Sequence, residues 1–215
     1  MDDTPSRLVA AAEQLLADGG DEATSLRAIS RAARSNAAAV HYHFGGRDAL
    51  LAEVVARRVA PVQERRLELL AAVRAAHGDP VPVPSIVDAL VRPDLELVAE
   101  VGVPLVRVLA RVPAPPGSAV AVLLDGYQEE VAAALLPMLS AAVPGVDVDE
   151  LRLRLRLVRA AVAATLAGEA TVDAVAGGLV GFCVAGLAAP PSSRTEVSLP
   201  KAAKKKGKKR VDGRS

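Results

Sequence analysis

Large aromatic side chains are scarce in this chain of 215 residues: tryptophan is absent, and phenylalanine and tyrosine occur only twice each. Hydrophobic residues still make up 51% of the sequence, so a sizeable core has to be built from alanine, valine and leucine. Alanine and leucine favour helices, and β-branched runs bounded by turns are few. The composition therefore predicts an all-α protein.

Cysteine is also nearly absent. The only cysteine in the sequence is Cys183, which lies in an apolar segment. Because a second cysteine is lacking, the chain can form neither an internal disulfide nor a zinc site built from several cysteines. This usage is typical of a reducing compartment. The N-terminal sequence MDDTPSRL is acidic and has no long apolar run, unlike a signal peptide. We therefore expect a cytoplasmic protein.

The small net charge of +1 hides an uneven distribution. Residues 194–215 contain nine Lys and Arg against two acids, a formal charge of +7, and the rest of the chain carries −6. This low-complexity segment predicts a disordered basic tail over 193–215. The tail either keeps the protein soluble or adds contacts to phosphates, and the sequence leaves both roles open.

The first 46 residues read as three short helices. Asp18-Gly19-Gly20 ends the first helix, and Thr24 or Ser25 begins the second. Asn36 caps the third, which ends at Gly45-Gly46. Three short helices, with a tight turn between the second and third, predict a helix-turn-helix domain over 1–46.

The remainder, 47–192, reads as one larger helical domain. A long helix begins at Arg47 and contains Pro61, a position where it could kink. Further helices are expected near 85–111, 118–142, 148–168 and 171–189, separated by proline-rich loops. Residues 150–159, ELRLRLRLVR, alternate like a strand. We favour a helix because an apolar stripe continues at helical spacing through Leu151, Leu155, Val158, Val162 and Leu166.

The stretch AAAVHYHFGG, residues 37–46, holds half of the phenylalanine and tyrosine residues. Three small residues at the start of a helix let its backbone enter the major groove of DNA, where alanine methyls can touch thymine methyls. The following His41, Tyr42 and His43 have flat bodies and polar tips that can reach phosphates, and Phe44 is expected in the core. His41 and His43 point about 200° apart on a helix, so we expect no metal site.

The stretch TSLRAISRAARSNAAAVHYHFGGRDALLAEVV resembles the N-terminal domain of the tetracycline-repressor (TetR/AcrR) family of transcriptional regulators. The resemblance covers roughly residues 7–60 and includes the Tyr-His-Phe ending and the basic residue before Leu50-Leu51. The chain departs from the family in the turn, where Arg34-Ser35-Asn36 replaces the usual Gly-Val-Ser. His41 stands where the family usually has a tyrosine.

The resemblance implies roles for individual residues. Side chains implied at or near base edges are Ala37, Ala38, His41 and Arg27, the last reaching a base or a phosphate. Side chains implied at phosphates are Thr24, Ser25, Tyr42, His43 and Arg47. Asn36 keeps the capping role at the start of the recognition helix. Residues 27–47 contain four arginines and no acid, a local charge that suits DNA.

The resemblance also implies a C-terminal domain that senses a ligand and forms a homodimer. In the family, the last two helices commonly pack with their mates as a four-helix bundle. The glycines of TVDAVAGGLVGFCVAGLAAP, residues 171–190, suit such close packing. A C-terminal membrane anchor is the rival interpretation, but its apolar run is shorter than the roughly 20 residues that a span needs. We expect no membrane partner.

The walls of a ligand pocket would come from helices near 85–168, which are rich in valine, leucine and alanine. A mostly apolar small molecule is therefore the expected effector. The candidate polar contacts in these helices are Arg107, Arg111, Tyr127, Gln128 and Thr165. The chain contains no recognisable catalytic set and no phosphate-binding loop, so we expect neither an enzyme nor a cofactor.

These observations together predict a homodimeric, ligand-responsive DNA-binding regulator, a repressor in preference to an activator. Its operator should be a palindrome in double-stranded DNA, matching the two-fold symmetry of the dimer. Two alternatives stay open. The first is a nucleoid-type protein that binds DNA without sequence preference through its basic tail, and the second is a small-molecule enzyme on a helical scaffold.

Overall fold

A computed structural model describes residues 3–102, 109, 112–166 and 172–191. Within these residues it contains eight α-helices and no strand, which confirms the predicted all-α class. The helices are α1 (Thr4–Ala23), α2 (Leu26–Ala32), α3 (Ala37–Phe44), α4 (Arg47–His77), α5 (Val83–Val101), α6 (Ala119–Ala142), α7 (Val148–Leu166) and α8 (Val172–Ala188). The predicted basic tail, 193–215, lies outside the described residues.

The N-terminal helices enclose a small core of their own. Helix α1 packs against α2, α3 and α4, and buries Leu8, Val9 and Ala12. From the other side, Ile29 of α2 and Val40 of α3 are fully buried in the same core. The predicted break after Asp18 is present at Gly20, where φ is +68° and the helical path is interrupted.

Helix α4 joins this small core to a larger one. Its first turns bury Leu50, Leu51 and Val54 in the N-terminal core, and Leu70 lies in the core of the C-terminal helices. The helix includes Pro61 and extends to His77. The domain boundary proposed between residues 46 and 47 stays a prediction, since α4 serves both cores.

The C-terminal helices pack with α5 against α4 and α8, α6 against α4 and α7, and α7 against α8. Helix α7 confirms the helical interpretation of 150–159, because the stripe beginning with Leu151 and Leu155 is buried along one side. The helix predicted over 85–111 ends earlier than expected. Gly102 adopts φ +80°, and its N–H bonds to the carbonyl of Val98 at 2.9 Å, which closes α5 at Val101.

A buried arginine fastens the end of α8 to α7. The Arg154 guanidinium donates to the carbonyls of Leu187 (3.1 Å), Ala189 (2.6 Å) and Pro190 (2.7 Å), and forms an ion pair with Glu150. These carbonyls lie in or just beyond the last turn of α8, where helical partners run out. In the part of the chain that the structure describes, no helix is long and apolar enough to cross a membrane.

Candidate nucleic-acid interface

The turn between α2 and α3 is built by the backbone. Ser25 caps α2 by accepting a hydrogen bond from the Ala28 N–H at 3.3 Å. At the other end, the Ser35 N–H bonds to the Ser30 carbonyl at 2.9 Å, and the Arg34 N–H bonds to the Arg31 carbonyl at 3.1 Å. This pair of bonds is a Schellman motif, which requires a left-handed residue after the helix. Arg34 takes that conformation, with φ +50°, in the position where the family usually has glycine.

Helix α3 has one face in the core and one face open. The Asn36 side chain accepts from the Ala39 N–H at 2.9 Å, which confirms its predicted capping role. Val40 is fully buried, and Phe44 packs partly buried against the same core. The residues of α3 that are exposed and share the outer face are Ala37, Ala38, His41 and Tyr42. We call these four residues the α3 face.

Tyr42 is the most exposed large side chain of the α3 face, at 85%. Its ring lies edge-on to His43, with centroids 4.9 Å apart, and His43 is exposed as well. An aromatic side chain that the fold leaves open is unusual in a protein with only two tyrosines and two phenylalanines. The arrangement presents one phenolic hydroxyl and one imidazole beside the open face.

Three arginines on α2 and in the turn before α3 are open to solvent. Arg27, Arg31 and Arg34 are exposed, and none forms an ion pair with a described residue. Ser25 is exposed at the N-terminus of α2. The local positive charge predicted from residues 27–47 is therefore open to solvent on α2 and in the turn.

Arg47 and Thr24 are placed differently from these arginines. The Arg47 guanidinium donates to the Thr24 carbonyl at 2.7 Å, to the Thr24 hydroxyl at 2.8 Å and to the Asp21 carbonyl at 3.0 Å, and also pairs with the Asp21 carboxylate. The Thr24 side chain is fully buried and donates its hydroxyl proton to the Asp21 carbonyl at 2.7 Å. Both side chains join the α1–α2 connection to α4. Their predicted phosphate contacts stay predictions.

A cavity of about 360 Å³ lies among α4, α5, α6 and α7. Its apolar walls include Val59 of α4, Leu97 of α5, Leu124 of α6 and Val162 of α7. The predicted ligand contacts do not meet there: Tyr127, Gln128 and Thr165 are not among its lining residues. Burial, with Glu130, Glu64 and Glu53 nearby, raises the pKa of Tyr127. Arg107 and Arg111 lie outside the described residues.

The charged side chains that line this cavity were not predicted from the sequence: they are Arg66, Asp94 and Arg159. Arg66 is 2% exposed and ion-pairs with Asp94 at 2.7 Å. The signal for it was present, because Arg66 falls at helical spacing between two buried apolar residues, Val62 and Leu70. A lone arginine in an apolar stripe is a candidate for a buried polar site.

The cavity shares walls with the N-terminal core. Val55 of α4 and Val112 belong to that core and also line the cavity. A second link is polar: the Asp48 carboxylate, in the first turn of α4, accepts from the Ala119 N–H at 2.7 Å. Asp48 therefore caps the N-terminus of α6 from the first turn of α4, the part of that helix that packs in the N-terminal core. An occupant of the cavity would touch residues that support α3.

The outer side of α7 and α8 is apolar and open. Leu153 and Leu157 on α7 are 46% and 60% exposed, and Phe182 on α8 is 63% exposed. On α8, a Cβ added at Gly178 or Gly181 would meet no described atom within 4 Å. The opposite side of α8 is buried in the C-terminal core by Leu179, Cys183 and Leu187. We call the exposed residues Leu153, Leu157, Gly178, Gly181 and Phe182 the α7–α8 face.

Two family models match the chain. The model described as bacterial regulatory proteins, tetR family, matches residues 8–54, and the model described as tetracyclin repressor-like, C-terminal domain, matches residues 88–186. The first match contains the whole of α2 and α3, and the second runs from α5 into α8. No curated protein matches the chain.

Solved structures share the fold at low sequence identity. A TetR-like transcriptional regulator from Rhodococcus sp. RHA1 is 21% identical and has a TM-score of 0.59, with 86% of this chain and 96% of that chain covered. A fatty acid degradation regulator, FadR, from Bacillus halodurans is 13% identical, with a TM-score of 0.58 and coverage of 87% and 97%. A tetR-family regulatory protein from Rhodococcus RHA1 is 16% identical, with a TM-score of 0.58 and coverage of 90% and 100%.

The two matched regions stand in the family's order, and the helix-turn-helix geometry lies inside the first of them. The chain therefore belongs to the TetR family of bacterial transcriptional regulators, with an N-terminal helix-turn-helix domain and a C-terminal domain of the tetracycline-repressor type.

Proposed function

We propose that this protein is a homodimeric repressor that binds a palindromic operator through the α3 face and releases it when a small molecule fills the cavity. The observation that carries the proposal is the α3 face itself. Its alanines let the helix backbone approach base edges, and Val40 and Phe44 hold the helix from behind. His41 follows one turn after Ala37 and reads bases beside it.

The phosphate contacts in this proposal come from the exposed polar groups around α3. Ser25, Tyr42 and His43 lie open to solvent, as does Arg27. Such contacts set register and orientation and carry no direct sequence information. Thr24 and Arg47 act behind them by fixing the α1–α2 connection against α4, whether or not Arg47 also reaches a phosphate.

The α7–α8 face supports the dimer. Large apolar side chains, and glycines that leave room for a neighbouring backbone, are exposed on two helices that contact each other. A second copy of the same face would bury both sets, as expected for a two-fold interface. Such a dimer would present two α3 helices to one side of DNA, about 34 Å or a multiple of that apart.

Binding-site selection with the full chain and random duplex DNA tests the DNA interface. We expect a palindromic consensus. The variant His41→Ala should relax the preference at one or two positions of each half-site, because it removes a base contact. Tyr42→Phe, which removes only an exposed hydroxyl, should weaken all sequences alike. Equal behaviour of the two variants would contradict these roles.

Deletion of residues 194–215 separates this proposal from the nucleoid-type alternative. The tail carries nine basic residues and favours DNA of any sequence. Without it, we expect the selected consensus to be retained. Only the salt dependence should become shallower, by up to about 0.9 in log–log slope for each lost phosphate contact. Loss of all preference between sequences after the deletion would favour the alternative.

The dimer is tested by placing a charge on the α7–α8 face. Leu157→Glu should give a monomer by analytical ultracentrifugation and abolish operator binding, because a carboxylate would be buried in the interface. Val122→Glu is the matched control: Val122 is 64% exposed on α6, away from this face. A monomeric wild-type protein, or a Leu157→Glu variant that stays dimeric, would overturn the proposed interface.

The response to an effector is proposed to pass through α6 and the Asp48 link. Asp48→Ala removes the contact between α4 and the Ala119 N–H, so effector binding should release DNA less completely. Ser118→Ala removes the other cap of α6, a 3.1 Å bond to the Ala121 N–H that involves no residue of α4. Each variant should lose about 1 kcal/mol of stability. The factor by which the effector lowers operator affinity should be smaller in Asp48→Ala than in the wild type. In Ser118→Ala this factor should be unchanged.

A further inference from the structure

Arg159 of α7 is one of the residues that line the cavity, and its guanidinium is not fully satisfied. Its Nη1 atom is buried and has no hydrogen-bond partner among the described residues. Burial, together with the nearby positive charge of Arg66, lowers the pKa of Arg159, although Asp94 opposes that shift. A buried donor that lacks a hydrogen-bond partner is costly, so the position calls for an explanation.

The described residues that line the cavity do not supply a partner for Arg159, because Arg66 already occupies the acceptors nearby. The Arg66 Nε donates to the Leu90 carbonyl at 2.9 Å, its Nη2 pairs with Asp94 at 2.7 Å, and its Nη1 bonds to Gln63. The single carboxylate among the lining residues is thus already engaged. Two guanidinium groups and one carboxylate leave the described lining with one surplus positive charge.

We propose that the cavity takes a small amphiphile whose single carboxylate binds Arg159 and whose apolar body lies against the Val and Leu side chains of α4, α5, α6 and α7. The inference rests on the proposed function, since it names the chemical class of the effector. It also modifies the expectation of a mostly apolar molecule by adding one required negative charge.

Charge and volume both narrow the ligand class. A monoanion neutralises the surplus charge, whereas a dianion such as a phosphate monoester would leave a negative charge beside Asp94. The guanidinium fork matches a carboxylate with two parallel hydrogen bonds. The volume of about 360 Å³ lies near the lower end of the range of roughly 300–1,000 Å³ for small-molecule sites. The cavity therefore suits a compact acid better than a bulky conjugate.

Calorimetric titration of the full chain, without DNA, tests the ligand class. The probes are octanoate and decanoate, with octan-1-ol and octyl phosphate as matched molecules of different charge. We expect octanoate to bind about 10- to 100-fold more tightly than octan-1-ol, because a charge-assisted pair replaces a neutral contact. Octyl phosphate should bind more weakly than octanoate. Equal affinity for octanoate and octan-1-ol, or no binding of either acid, would overturn the proposal.

Substitutions at Arg159 test the role of the side chain. Arg159→Leu should abolish the preference for octanoate over octan-1-ol, and Arg159→Lys should retain part of it by keeping the charge. Arg152→Leu is the control on the same helix, since Arg152 lies near the surface and pairs with Glu129 at 3.4 Å. It should bind octanoate like the wild type. A preference that survives in Arg159→Leu would contradict the assignment.

The same variants give a second readout that a structural arginine would not produce. Removing a guanidinium with an unpartnered buried nitrogen should raise the Tm of the ligand-free protein by about 2–4 °C in Arg159→Leu, because no hydrogen bond to a described residue is lost. A fall in Tm would show that Arg159 has a partner in the free protein and would overturn the proposal. Failure of operator selection would leave these measurements unaffected, so the two proposals can fail separately.

Discussion

Arg47 in the N-terminal half and Arg159 in the C-terminal half have contrasting surroundings. In the N-terminal half, Arg47 directs its donors at Asp21 and Thr24, inside the protein, and Arg27, Arg31 and Arg34 stand in solvent. Arg7 of the same half has a buried Nε without a partner among the described residues. In the C-terminal half, Arg159 has a buried nitrogen without a partner among the described residues, at the edge of an apolar cavity. Arg159 therefore stands beside a space that a ligand can fill, whereas Arg47 is held by groups of the protein itself.

This difference fits the tasks of the two regions. A DNA-reading helix has to be held in one position, since base contacts depend on geometry. The Arg47 bonds between the α1–α2 connection and α4, and the burial of Val40 of α3, serve that purpose. A sensor region needs a state that a ligand can favour by binding one conformation better than another. A guanidinium with an unpartnered buried nitrogen beside a cavity is one such feature, because a suitable anion can bind the guanidinium and offset that cost.

Arg154 provides the largest test of the distinction between closed and open arginines, because it lies on the same helix as Arg159. Arg154→Met should lower the free energy of unfolding by about 3 kcal/mol, since three carbonyls lose a charged donor. Urea unfolding measures the change. Arg152→Met, at a surface ion pair, should change stability by less than about 0.5 kcal/mol. A small loss in Arg154→Met would remove the contrast with Arg159.

Arg47 gives the next largest effect. Arg47→Met should cost about 2 kcal/mol in urea unfolding, because the hydroxyl and the carbonyl of Thr24 lose the donor that Arg47 provides. The salt dependence of operator binding by this variant separates two roles. An unchanged log–log slope indicates that Arg47 positions the α1–α2 connection, and a slope smaller by about 0.9 indicates a phosphate contact. Arg57→Met, at an exposed ion pair, is the control.

Arg34 should give a smaller effect of opposite sign. Arg34→Gly should raise stability by about 1 kcal/mol, because glycine adopts the left-handed conformation of this position without strain. Arg31→Gly removes the same charge from the last turn of α2 and should lower stability by about 1 kcal/mol. Thermal unfolding of both variants checks the sign. A loss in Arg34→Gly would mean that the side chain makes a compensating contact.

The last prediction, and the smallest effect on stability, concerns the thiol of Cys183. Burial raises the pKa of its thiol, so the thiol stays neutral at a pH where an exposed cysteine has begun to ionise. Folded protein at about pH 8 should therefore react with a thiol reagent much more slowly than protein in urea. The stabilising contribution of the neutral thiol is present at neutral pH and is lost only as the pH rises through the raised pKa. Rapid reaction of the folded protein would indicate an open α8.

Much of the fold could be predicted because it depends on local patterns. Ser25, Asn36 and Gly45 mark the ends of α2 and α3 by capping chemistry that acts within a few residues. The helical stripe of α7 distinguished a helix from a strand for the same reason. The prediction was wrong where the pattern was ambiguous, as at the end of α5, where Gly102 closes the helix well before the proline-rich sequence that was expected to end it.

The candidate site also has one part that local sequence patterns predict and one part that they do not. The open residues of α3 follow from one helix with one buried side, so the sequence determined them along with the all-α class and the family. Side chains from α4, α5 and α7, far apart in the chain, decide where the cavity forms. They also decide that Arg66 is hydrogen-bonded and that Arg159 keeps a nitrogen without a partner among the described residues. Only the tertiary structure could decide these points, because hydrogen bonding and burial depend on which distant groups the packing brings together.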